Sequence, residues 1–275
     1  MKKFMILLGL MLLFPSLLLA QSGSSQYNPD SEEVSTDFSP VVVGLDLSLE
    51  PFRYSALNSG GFNYSLGLGL YGVNSWSLYS RLHYISGQKS GKAVNELGNP
   101  SIGFEWNVLE VSRLQTWILG EARFARYDSD LSAKYNTFIP GMSFRTQWSR
   151  WSGALSLRYF HRTTEQDPLL DVMDITQGDL SAAYKFNFGQ LGGMIYTYRT
   201  EGIRRDGISF VRPLQWVGFG PTYRYRMNGN TSFRTSLLFP YSVNRDEQEA
   251  TLAVWDTELP KAREITWKAD VGVSF

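Results

Sequence analysis

Residues 264–275 read EITWKADVGVSF. Ile265, Trp267, Ala269, Val271, Val273 and Phe275 share one parity, and Glu264, Thr266, Lys268, Asp270, Gly272 and Ser274 share the other. Successive side chains of a strand point to opposite faces, so this pattern gives one apolar face and one polar face. Soluble domains usually fray into a polar terminus. An aromatic residue closing such an alternation is expected to have a place to go.

The same period runs through most of the chain. Val41, Val43, Leu45, Leu47 and Leu49 alternate with Val42, Gly44, Asp46, Ser48 and Glu50, and Phe62, Tyr64, Leu66, Leu68 and Leu70 alternate with Gly61, Asn63, Ser65, Gly67 and Gly69. Comparable runs begin near Trp76, Ile102, Leu114, Phe138, Trp151, Leu180, Leu191, Gln215, Thr231 and Ile265, about twelve strands in all. Two of them, RLQTWILGEARF (113–124) and LGGMIYTYRT (191–200), are ambiguous in phase because both parities carry large apolar residues.

Short and long connections take turns. GVNS (72–75), EVSR (110–113), SR (149–150), GQLG (189–192) and MNGN (227–230) are short enough for hairpin turns. Between them lie longer polar stretches at 51–60, 87–100, 127–136, 163–178, 200–213 and 241–263. A soluble sandwich has no reason to keep its short turns at one end. A barrel of the outer membrane does, with short periplasmic turns and longer extracellular loops.

Ahead of the strands, Met1, Lys2 and Lys3 precede the apolar run FMILLGLMLLFPSLLLA, which ends at Ala20 and is followed by QSGSS. This is the layout of a secretory signal peptide over residues 1–20. An uncleaved anchor is the alternative, since Leu18 stands where a small residue is preferred. Residues 21–40 (QSGSSQYNPDSEEVSTDFSP) are polar, aperiodic and carry two prolines, and read as a flexible periplasmic leader. Residues 41–275 are then the barrel.

Composition excludes several classes. Setting aside Lys2 and Lys3 leaves 24 basic against 26 acidic residues, a balance without the concentrated basic face that nucleic acid requires. There is no cysteine, hence no disulfide framework and no lipoprotein anchor. No apolar run of helix-spanning length follows the signal, so any crossing is made by strands.

Within hydrocarbon every backbone amide needs a partner in the protein, so strands cross only as a closed sheet without edges. The expected fold is therefore all-β: a closed antiparallel transmembrane barrel of about 12 strands, with lipid on the apolar parity and a lumen on the polar one. Aromatics cluster near the short turns, where strand ends meet headgroups: Tyr71, Trp76, Trp148, Trp151, Phe188 and Tyr225. The terminal Val271, Val273 and Phe275 resemble the C-terminal signal by which barrel-assembly machinery recognises bacterial outer-membrane barrels. The chain as a whole resembles the uncharacterised, domain-of-unknown-function families of such barrels, a likeness that transfers no functional residue. Its implied partners are outer-membrane lipid and the assembly machinery.

Motifs for chemistry are sparse. GLGLYG (67–72) matches a dinucleotide-binding glycine pattern, but no helix follows, and its glycines sit on the lumen parity, where they make room for bulky neighbours. No cofactor is implied. Twelve-stranded outer-membrane phospholipases pair a histidine with a serine two residues on; here Ile85 follows His83 and Thr163 follows His161 at that spacing, while Ser86 falls on the face opposite His83. Omptin-like proteases use an Asp–His pair at the barrel mouth, and neither histidine has an aspartate beside it in the chain, DSD (128–130) being the nearest approach. Two isolated histidines without cysteine form no metal-ligand pattern.

The lumen parity carries the charge. Its cations are Arg81, Arg123, Arg145, Arg158, Lys185, Arg199, Arg224, Arg226, Arg234 and Lys268, and its acids are Asp46, Glu105, Glu121, Asp179, Glu264 and Asp270. Either these groups pair across a narrow, filled interior, or an unpaired arginine ladder attracts a small anionic solute such as a carboxylate or phosphate. Twelve-stranded porins for acidic oligosaccharides use a lumen of this second kind, and the resemblance is of architecture and charge. The expected function is a passive channel or small-solute transporter. A non-conducting structural or surface-recognition barrel, contacting other molecules through Asp246, Glu247, Glu249, Asp256 and Glu258 of the last long loop, is the alternative, and a lipid hydrolase is the second.

Overall fold

The computed structural model describes residues 41–274 except 55–58, 73–74, 90, 127, 129–134, 164–169, 172–173, 201–202, 206–207, 212–213, 228–230 and 243–264. The expected signal peptide and leader, Glu264, Phe275 and the acidic residues of the last long loop lie outside the described residues.

The elements are all strands: β1 (Val41–Tyr54), β2 (Ser59–Gly72), β3 (Trp76–Lys89), β4 (Lys92–Leu97), β5 (Ser101–Val111), β6 (Leu114–Arg123), β7 (Asn136–Trp148), β8 (Trp151–Thr163), β9 (Leu170–Asp171), β10 (Ile175–Phe186), β11 (Gly189–Thr200), β12 (Ile203–Arg205), β13 (Ile208–Val211), β14 (Leu214–Arg226), β15 (Thr231–Ser242) and β16 (Thr266–Ser274). Thirteen form one antiparallel sheet in the order β2-β1-β16-β15-β14-β11-β10-β8-β7-β6-β5-β3-β4, and β2 also pairs with β3. Because β4 joins only β3, as a branch, the remaining twelve close a ring. The closing seam is β1 against β16, from Gly44↔Ser274 to Leu49↔Ala269. The closed antiparallel barrel is thus the observed fold.

Alternation sets the two faces. Leu68, Ile102, Leu180 and Phe219 stand outside at 55%, 46%, 54% and 54% exposure, whereas Ile175 and Tyr196 on the inward parity are at 0% and 1%. A wall of leucine, isoleucine and aromatic residues facing outward is a surface for lipid. Near the short turns this wall ends in exposed Trp148, Trp151 and Phe188, with Trp151, Tyr184, Phe186 and Phe188 joined ring to ring at 4.8–5.3 Å. Tyr71 is not part of this girdle. It lies on the inward parity, opposite Ser77 and Val42, and its hydroxyl donates to Asp46.

Several of the expected long loops are partly strand. The β1–β2 ladder runs on to Tyr54↔Ser59, so the first connection shrinks to 55–58. Gly61 permits this, since a Cβ there would lie 2.2 Å from the Ser86 carbonyl oxygen of β3. In place of a loop at 87–100, β3 extends to Lys89 and β4 folds back on it through Gly91, whose φ of +80° suits glycine. Residues 203–211 hold the β12–β13 hairpin, which with β9 makes a separate three-stranded sheet.

The ambiguous segments are resolved by register. In β6, Gln115, Trp117, Leu119, Glu121 and Arg123 face inward, and a bulge at Val108 in the neighbouring β5 puts Val108 and Leu109 both outside. In β11, Met194, Tyr196 and Tyr198 face inward while Leu191 and Ile195 face lipid.

Inside the ring, Ile139, Phe160, Ile175, Tyr196, Tyr198, Trp216 and Leu238 form the buried apolar cluster, all on β7 through β15. Tyr198 stacks on Trp216 at 5.2 Å and 14°. Inward tyrosines lie flat along the wall over glycines of adjacent strands: a Cβ on Gly103 would meet Tyr79 at 2.4 Å, and one on Gly218 would meet Tyr196 at 2.0 Å. Within GLGLYG, Gly69 sits beneath Tyr71 in this way, Gly72 lies on the outward parity beneath the Trp76 indole, and Gly67 faces Asp46 and Arg81.

Gly218→Ala is therefore expected to destabilise the barrel by about 1–3 kcal/mol through overpacking against Tyr196. Gly193→Ala, whose Cβ would find only the Gly220 carbonyl oxygen at 3.8 Å, should be close to neutral. Urea unfolding in lipid or detergent, followed by the loss of the heat-modifiable gel band, separates the two.

Candidate functional site

The site is the interior of the ring, and successive register rows bring its charges together. One row runs Arg226, Ser232, Gly272, Asp46, Gly67, Arg81, Ser101, Arg123, Thr137, Arg162. Another runs Lys185, Gln190, Arg224, Arg234, Asp270, Ser48, Ser65, His83. Cross-strand neighbours in one row have side chains about 5 Å apart at Cβ.

Toward the long-loop half the interior is packed. Glu121 is buried and accepts from Arg123 Nε at 2.7 Å and from the Tyr79 hydroxyl at 3.2 Å. Arg123 also stands over the Phe160 ring at 5.6 Å. Arg81 is held over its own strand's Tyr79 ring, 4.7 Å from the centroid. Nearer the short turns Arg145, opposite Gln115, donates to Glu105 at 2.7 Å and lies 4.6 Å over Trp117. Asp179 accepts from Gln177 at 2.6 Å, one row from Arg158. Among the described residues, Arg158 Nε, the Tyr196 hydroxyl and Trp216 Nε1 are buried without a hydrogen-bond partner. Orphaned donors of this kind are uncommon in native interiors and call for a polar visitor or water.

Toward the short-turn half the picture changes. Lys185, Arg224, Arg226 and Arg234 point inward yet are exposed, so this end of the lumen is wide enough for water. Arg224 and Arg234 face each other directly across β14 and β15. Lys268 lies 3.7 Å from Asp270.

Three charges stand differently from the sequence expectation. Arg199 is on the outer face, on the parity of Ile195 and opposite Thr176 and Gln215, because the inward places of β11 are taken by Tyr196 and Tyr198. Arg162, absent from the expected lumen set, is inward, buried at 3% and 4.5 Å over the Tyr135 ring. Glu50, opposite Asn63, is a further inward acid.

Neither histidine builds a catalytic set. His83 faces inward with Nδ1 3.4 Å from Asn63 Oδ1, and Ser86 faces the other way, hydrogen-bonded to Asn95. His161 does acquire an aspartate. Asp174, which precedes β10, receives the Tyr159 hydroxyl at 2.5 Å, His161 Nδ1 at 3.2 Å and the Arg162 amide at 3.0 Å. No serine or threonine hydroxyl bonds the exposed imidazole among the described residues, so a base is present without a nucleophile. Among the described residues there is also no group of three or more metal-ligating side chains.

One concavity lies outside. A groove of about 600 Å³ opens on the outer wall, rimmed by Leu180, Ile195, Phe219 and Phe239 and floored by Gly193 and Pro221. There the β14–β15 ladder skips from Phe219↔Phe239 to Thr222↔Ser236, since Pro221 has no amide hydrogen to give.

The ring, its outward apolar wall and its charged interior define an outer-membrane β-barrel. No protein-family model matches the chain, and no curated protein matches it. Among solved structures it is similar to the COG4313 outer membrane channel from Pseudomonas putida F1, at a TM-score of 0.64 and 9% identity over 91% of this chain and 100% of that one. It is also similar to the KdgM porin, at a TM-score of 0.51 and 10% identity over 84% of this chain and 99% of that one. At such identities the likeness is one of fold.

The two interior ion pairs should differ in weight. Glu121→Ala breaks a largely buried pair, taking the carboxylate from both Arg123 and the Tyr79 hydroxyl, and is expected to cost about 3–5 kcal/mol. Glu105→Ala opens a pair whose arginine is over a third exposed, and should cost no more than about 1 kcal/mol. Denaturant midpoints of the two variants check the ranking.

Proposed function

We propose that the protein is a passive channel or small-solute transporter of the bacterial outer membrane, exported by cleavage of residues 1–20, whose lumen favours small anions. The observation that carries this reading is the set of inward, water-exposed cations Lys185, Arg224, Arg226 and Arg234, which the barrel keeps on its polar face without matching carboxylates in equal number. A ring of fixed positive charge in a pore lowers the barrier for anions and raises it for cations. The two similar solved structures named above are called a channel and a porin, which agrees with the reading.

One feature favours the second reading, a non-conducting barrel. The cluster around Tyr198 and Trp216 fills part of the interior and takes that space from any conducting path. Lipid hydrolysis has less support, because His161 and Asp174 lack a nucleophile among the described residues.

Planar-bilayer recording decides between the first two. A channel of this kind gives small, stable currents whose reversal potential under a KCl gradient reports anion preference. Trp216→Ala, which removes one ring of the stacked pair, raises conductance several-fold. Silence of both the wild type and Trp216→Ala across voltages would leave the structural reading standing.

A further inference from the structure

The arginines are not spread evenly along the interior, and their grouping carries a more specific consequence, which rests on the channel reading only for its physiological setting. Lys185, Arg224 and Arg234 occupy one register row across β10, β11, β14 and β15, with Gln190 between the first two. Arg226 is two residues further along β14 on the same face, and Lys268 is two residues from the row on β16. Among the described residues two carboxylates are near. Asp270 is opposite Arg234 and is 3.7 Å from Lys268, and Asp46, in the row of Arg226, accepts the Tyr71 hydroxyl. Five cations therefore face two carboxylates.

Like charges directly opposite on adjacent strands repel and destabilise the pair. Arg224 and Arg234 are such a pair, and neither they nor Arg226 makes a hydrogen bond or ion pair with a described residue. Nothing on the outer, lipid side can relieve them, since Tyr223, Tyr225, Phe233 and Thr235 hold that face. The relief has to come from the lumen. Guanidinium forks match planar or tetrahedral oxyanions two hydrogen bonds at a time, and several converging forks select for more than one anionic group. The position is near the strand ends joined by short turns, which in outer-membrane barrels is the periplasmic end. Farther in, the buried Tyr196–Tyr198–Trp216 packing bounds the vestibule.

We propose that Arg224, Arg234 and Arg226, supported by Lys185, form a binding site for a small polyvalent oxyanion in the periplasmic vestibule. The ligand is held by forked hydrogen bonds and relieves the Arg224–Arg234 repulsion. It enters from the short-turn end.

The test is isothermal titration of inorganic tripolyphosphate into the full-length, heat-modifiable barrel in a zwitterionic detergent at low salt. The wild type is expected to bind at a defined stoichiometry. Arg224→Gln and the Arg224→Gln/Arg234→Gln double variant weaken binding about 10-fold and 100-fold, in proportion to the charged hydrogen bonds lost. Arg199→Gln, on the lipid face, is the control of equal charge and leaves the affinity unchanged. No binding by the wild type, or equal losses in Arg199→Gln and Arg224→Gln, overturns the site. Removing a like-charge pair should not impair folding, and the unboiled gel band verifies this for each variant. The titration needs no ion flow, so a barrel that is silent in bilayers but binds tripolyphosphate refutes the channel alone. One that conducts without binding refutes the site alone.

Discussion

The structure depends on one constraint: a backbone amide in hydrocarbon has no water to turn to. A sheet of twelve strands meets it only by joining its first strand to its last, and the pairing of β1 with β16 does so. Once the ring is closed, the remaining choices follow. Side chains of one parity must tolerate lipid, hence Leu68, Ile102, Leu180 and Phe219 outside, and those of the other share a space whose volume is fixed by strand number and tilt. The break at Pro221 marks how far the rule bends, for it costs the ladder two residues and is confined to a stretch lined by apolar atoms.

Filling that fixed volume produces an interior with two characters. In one half, tyrosines lie flat over glycines, Glu121 is shared by Arg123 and Tyr79, and an apolar cluster excludes water. Buried charge is tolerated there because each carboxylate meets a donor at close range. Toward the short turns Lys185, Arg224, Arg226 and Arg234 stay exposed, where desolvation is slight and the remaining cost is the mutual repulsion of Arg224 and Arg234.

Much of this was legible in the sequence because lipid enforces alternation strand by strand. The runs at Val41–Leu49 and Phe62–Leu70 were readable for that reason, and so were the short turns beside Trp76 and Trp151. Legibility failed where the lumen stops being polar. Trp117, Leu119, Tyr196 and Tyr198 are large and inward, so both parities of β6 and β11 look apolar, and Arg199 was placed on the wrong face. Arg162 was missed for the same reason, since Phe160 shares its parity and is buried rather than lipid-facing. Strand extensions such as β4 and β12 obey no membrane alternation and read as loops. The pairing of Asp174 with His161 joins residues 13 apart across a connection, beyond what spacing along one strand reveals.

The seam between β1 and β16 has a kinetic meaning. Its six register pairs unite segments from opposite ends of the described chain, the costliest kind of contact to find by diffusion. Until the final strand is delivered, the half-made sheet carries two bare edges, each able to zip onto a neighbouring copy. A chain of this design is open to edge-to-edge pairing until that last strand arrives, so its exposure before closure is a matter of rate rather than of the stability of the finished ring.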